Sequence, residues 1–78
     1  MPAATTRRFA VHEASEDRAR GHTVEAASFE DAAFEFLEAW RPAADPDGDV
    51  TLVVTDCETG REHCLRIDAD TGETAPCD

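Results

Sequence analysis

The pattern Asp-x-x-Thr-Gly occurs twice in the last third of the chain, at Asp56–Gly60 and again twelve residues on at Asp68–Gly72. An Asp carboxylate bonds nearby backbone N–H groups, and Gly supplies the positive φ that closes a four- or five-residue turn. Two such turns at strand-plus-turn spacing predict a three-stranded meander: Val50 to Thr55, Glu62 to Ile67 and Glu73 to Cys77. With Asp56 paired to Arg61, Val50–Ile67, Leu52–Leu65 and Val54–His63 become cross-strand neighbours on the core side. Thr51, Val53, Thr55, Glu62, Cys64 and Arg66 then face outward. A two-residue turn would give the same faces, because it moves the register by two positions rather than one.

The N-terminal half supplies what this meander packs against. Residues 8–13 alternate, with Phe9 and Val11 on one side and Arg8, Ala10 and His12 on the other, which is the signature of a half-buried strand. Residues 14–21 are polar and end in Gly21, which reads as a hairpin loop. His22 to Ala26 follows as a short second strand with Val24 inward. Ser28 is a natural helix N-cap, Asp31 completes an Asp form of the capping box, and Glu30 and Asp31 suit the positive end of the helix dipole. Phe29, Ala32, Ala33, Phe36, Leu37 and Trp40 recur at helical spacing, so Phe36 and Trp40 are expected in the helix–sheet interface. Pro42 stops the helix near Trp40, and residues 43–49 form a loop.

The implied architecture is a single α+β domain, β-β-α-β-β-β, with one antiparallel sheet and one helix on one face. The favoured strand order is 2-1-3-4-5, with 1-2-3-4-5 as the rival. The domain is expected over residues 7–78, behind a flexible tail of residues 1–6.

Seventy-eight residues support one small core and no deep catalytic cleft beside it. Eighteen acids against seven bases, every base an Arg, give a net charge of −11. That balance argues against direct nucleic-acid binding and against an anionic membrane surface. No apolar run is long enough to span a bilayer, and Met1 to Arg8 has no secretory core. Three cysteines do not make a secreted disulfide framework, so the expected compartment is the cytoplasm. The acidity and the absence of Lys also fit a high-GC genome or a salt-adapted host.

Motifs for chemistry are scarce. Gly21, Gly48, Gly60 and Gly72 are isolated turn residues, so no phosphate loop is present. No His-Glu-x-x-His, Cys-x-x-Cys or nucleophile elbow occurs, and no motif is specific to a known family. The spacings of Cys57, Cys64 and Cys77 with His12, His22 and His63 match no compact zinc module. No catalytic residue, metal site or cofactor is therefore expected, and Asp56 and Asp68 read as turn caps.

The distinctive surface is the outer side of the helix. Glu30, Asp31, Glu35 and Glu38 lie there with no basic partner four residues away inside the helix, and Phe34 sits between Glu30 and Glu38. One reading makes Phe34 the edge of the core and the acids a solubility coat. The sharper reading makes these five residues a partner-binding site for a basic protein, with the chain as an inhibitor or regulator. The alternative is a self-associating domain, a monomer or weak homodimer joined through the open sheet face or an edge strand. Counting from the second turn also sets Cys64 opposite Cys77 on that open face, unless Cys77 belongs to a frayed tail. The pair is expected to be reduced in a cytoplasm and able to close on oxidation.

Overall fold

A computed structural model describes residues 6–77. Of the flexible tail expected at residues 1–6, residues 1–5 lie outside the described residues. The elements run β1 (Arg7–Glu13), β2 (His22–Ala26), α1 (Phe29–Trp40), β3 (Asp49–Asp56), β4 (Glu62–Asp68) and β5 (Thr74–Pro76). All five strands join one antiparallel sheet in the order β2-β1-β3-β4-β5. The strand that begins the chain therefore lies between β2 and β3, as the favoured order has it.

The Asp-x-x-Thr-Gly turns set the register of the meander. Asp56 N–H donates to Arg61 O at 2.7 Å, and Asp68 N–H donates to Glu73 O at 2.9 Å. Val50 then faces Ile67, Leu52 faces Leu65 and Val54 faces His63. Period-two alternation does the rest: Phe9, Val11, Leu52, Val54 and Ile67 are almost fully buried on the helix side, packed against Ala32, Ala33 and Phe36.

Ser28 caps the helix as expected, its hydroxyl accepting from the Asp31 N–H at 3.1 Å. The expectation for Trp40 is corrected: it remains 43% exposed. The apolar stripe carries it into the last turn above β2, the edge strand, where no further strand can cover it. Its indole instead stacks on His22, with ring centroids 4.0 Å apart. At the other end of the helix, Phe29 packs edge-on against Phe9 and also contacts the His63 ring at 4.0 Å.

The β1–β2 connection does more than reverse the chain. It contains a single 3-10 turn, Arg18–Arg20, and Arg18 Nη2 reaches Glu62 Oε2 at 2.6 Å. Glu62 also accepts from the Thr55 hydroxyl at 2.9 Å. Because Glu62 and Thr55 lie on the face away from the helix, the connection folds across part of that face. Gly21 permits the return: a Cβ there would stand 2.5 Å from Val11 O.

Candidate functional site

Helical geometry separates the five candidate residues into two sets. Glu30, Phe34 and Glu38 recur every four residues and run along the side of α1 that faces β4 and β5. Asp31 and Glu35 lie on the ridge that faces solvent, and both are exposed. Phe34 is half-buried and packs against the core, so it is an edge residue of the helix–sheet interface as well as a surface one. Glu30 is tied down, because its Oε2 accepts a hydrogen bond from the Thr74 hydroxyl of β5 at 3.1 Å. That contact joins residues far apart in sequence and has no local signal.

A shallow groove of about 390 Å³ opens beside Phe34. Phe34, Leu37, Val50 and Ile67 give it an apolar floor, while Glu38 and Asp68 stand at its margin. Arg41 and Pro42 close one end. Arg41 occupies the left-handed region at φ 44° and ends the helix by donating its N–H to Leu37 O at 2.9 Å. The Arg-Pro dipeptide predicts that the helix stops there, but not that the Arg would border the acidic surface.

The far end of the groove rests on the β4–β5 turn, and a further Asp turn braces it. Asp45 Oδ1 accepts from the Asp47 and Asp49 N–H groups, each at 2.9 Å, and Gly48 follows at φ 87°. This turn docks on the β4–β5 turn through the Ala69 N–H, which donates to Gly48 O at 2.9 Å. The Pro-Asp-Gly-Asp run predicts a loop at this point, and the Asp45 carboxylate shapes it into a closed turn.

Electrostatically, the exposed carboxylates of the site have no ion-pair partner among the described residues. The ion pairs among the described residues join Arg7 to Asp56, Arg18 to Glu62 and Arg20 to Glu16. None of them uses Asp31, Glu35 or Glu38. The buried carboxylate among the described residues is elsewhere: Asp56 is 1% exposed and lies at the opposite end of the sheet's helix side, beside Arg7 and Phe9. Its carboxyl is held below the ordinary value of 3.8, foremost by the Glu58 N–H. Burial opposes that effect, while the Thr59 N–H, the Arg7 guanidinium and the Thr59 hydroxyl reinforce it.

Among the described residues no three His, Cys, Asp or Glu side chains are placed to hold a metal ion together. No described helix is long and apolar enough to cross a membrane. Chemically, the helix side of the molecule offers an apolar trough with carboxylates along it, an arrangement suited to binding a cationic chain with an apolar anchor.

No curated protein and no solved structure matches the chain. Residues 7–78, which include every strand and the helix, match the model of the family of unknown function DUF5961, and the chain belongs to that family.

Proposed function

We propose that this chain is a small acidic interaction module of the cytoplasm that binds a basic partner protein and acts as its inhibitor or regulator. The observation that carries this reading is the unneutralised acidity of α1: Asp31, Glu35 and Glu38 are exposed, and no described Arg pairs with them. Like charges along one helix side cost a few tenths of a kcal/mol, so helix stability does not account for them. Phe34 and the adjoining apolar floor supply an anchor point that a charged coat alone would lack.

Self-association has weaker support. Edge strand β5 is three residues long and ends in Pro76, which has no N–H to donate, so it presents a poor edge for pairing. The open face is partly overlain by the β1–β2 connection.

The test uses an Arg-rich peptide carrying one aliphatic residue, titrated against the full chain at several salt concentrations. Joint Glu35→Lys and Glu38→Lys replacement is expected to weaken binding by about tenfold and flatten its salt dependence. The control is Glu25→Lys with Glu58→Lys, two exposed acids remote from the groove that carry no side-chain hydrogen bond. Equal losses in both variants would mean attraction to overall charge and would defeat the assignment. Unchanged affinity in the helix variant would move the site to the open sheet face.

A further inference from the structure

We propose that Cys64 and Cys77 form a reversible thiol–disulfide exchange site whose co-substrate is a low-molecular-weight disulfide such as oxidised glutathione. Its redox state decides whether β5 is docked on the sheet. This inference is independent of the partner-binding reading above.

The backbone brings the two cysteines together by register alone. Leu65 faces Pro76 and Arg66 faces Ala75, and one step further the Cys77 N–H donates to Cys64 O at 3.0 Å. The Cα atoms are 5.3 Å apart and the sulfurs are bonded. A relaxed disulfide accepts Cα separations of about 4.4–6.8 Å, so the bridge forms across the docked strands without moving β4.

The pair is also reachable. Both cysteines are half-buried on the face away from the helix, and their neighbours Arg66 and Ala75 are exposed. Arg66 occupies the same face as Cys64, two residues on. The third cysteine, Cys57, is free and exposed in the β3–β4 turn. It lies outside this register pair.

Little else holds β5. The strand is three residues long, Ala75 and Pro76 are exposed, and its one described side-chain bond to the helix is Thr74 to Glu30. The bridge sits at the far end of the strand from that bond and closes a segment of sequence separation 13. Opening it leaves β5 with a few exposed backbone bonds, the kind that open at low free-energy cost. The edge of β4 is then uncovered and Glu30 is released to the acidic surface.

The chemistry balances as a two-electron exchange. One cysteine thiolate attacks the small disulfide, forming a mixed disulfide and expelling one thiolate. The second cysteine thiolate attacks the protein sulfur of that mixed bond and expels the other. The protein dithiol is oxidised, the small disulfide becomes two thiols, and the two cysteine protons end on those thiols. Excess small thiol runs the same steps in reverse.

The experiment uses the full chain carrying Cys57→Ser, so that one cysteine pair remains. Mass spectrometry in buffers of varied oxidised-to-reduced glutathione ratio should find both protein forms, differing by two hydrogens. Amide exchange should be faster by about tenfold or more at Ala75 and Cys77 in the reduced form, with β1 and β3 unchanged. A bridge that stays closed in excess reduced glutathione is a permanent staple and overturns the proposal. So does equal protection of β5 in both forms, or loss of protection throughout the sheet on reduction. A further variant, Cys64→Ser with Cys77→Ser, must show the fast β5 exchange without any reductant; a protected β5 there also overturns it.

Discussion

The β3–β4 and β4–β5 turns are made by the same five-residue pattern and close with the same bonds, yet they stand in different surroundings. Asp56 Oδ1 accepts from the Glu58 and Thr59 N–H groups at 2.8 and 3.3 Å, and Asp68 Oδ1 accepts from Asp70 and Thr71 at 2.8 and 3.2 Å. Gly60 N–H and Gly72 N–H each donate to the Asp carbonyl at 2.8 Å, and both glycines sit at φ 79°. Around Asp56, however, β1 closes in: Phe9 is its register neighbour, Arg7 Nη1 stands 3.3 Å from Oδ2, and the Cys57 N–H donates to Arg8 O. Asp68 lies one strand nearer the free edge, half-buried at the groove, with no ion pair among the described residues. Local sequence determines the shape of both turns, and the strand order determines how much of the fold leans on each.

The sharpest way to break this comparison is to delete each carboxylate in turn. Asp68→Ala removes two exposed capping bonds and should cost about 1–2 kcal/mol in urea unfolding. Asp56→Ala should cost clearly more, because it also leaves the Arg7 guanidinium without its partner and opens a gap beside Phe9. Equal losses would show that β1 adds nothing to the first turn.

The same contrast explains how much could be read from sequence. The strand pairings of the meander, the core side of each strand, the Ser28 cap and the Cys64–Cys77 meeting all follow from local periodicity and turn closure. The missing pieces are long-range. Nothing near Asp56 in sequence announces Arg7, which arrives because β1 inserts between β2 and β3. Arg18 meets Glu62, and Glu30 meets Thr74, at a separation of 44 residues in each case, too far for any local pattern to signal. Trp40 continues a helical stripe beyond the sheet edge that should have covered it. The acidic positions of the candidate site were visible for the same reason that its groove was not: charge is a property of the residue, and a groove is a property of packing.

A second way to sharpen the comparison is acid titration. The folded carboxyl of Asp56 lies below its ordinary value of 3.8, chiefly through the Glu58 N–H. Between those two values the unfolded chain binds the proton more readily than the folded one. Asp56 therefore contributes its full stability above pH 3.8 and loses it as the pH falls through the folded value. Denaturant midpoints should fall more steeply below pH 3.8 for the wild type than for Asp56→Asn, whose side chain does not titrate. Parallel curves for the two proteins would show that the turn and Arg7 do not favour the ionised form.

The smallest effect tests the half of the comparison in which the turns should not differ. The hydroxyl of Thr59 accepts from the Arg61 N–H at 3.2 Å, and that of Thr71 accepts from the Glu73 N–H at 3.2 Å. Both threonines are exposed, and both bonds lie wholly within their own turn. Thr59→Val and Thr71→Val remove the acceptor and keep the branched shape, so each should cost about 0.5–1 kcal/mol. Because neither hydroxyl touches β1 or the helix, the two losses should agree within error. Together with Asp56→Ala, Thr59→Val should show coupling, since Asp56 and Thr59 act on the same few residues. A Thr59→Val loss well above that of Thr71→Val would mean that burial of Asp56 stiffens the whole first turn rather than the carboxylate alone.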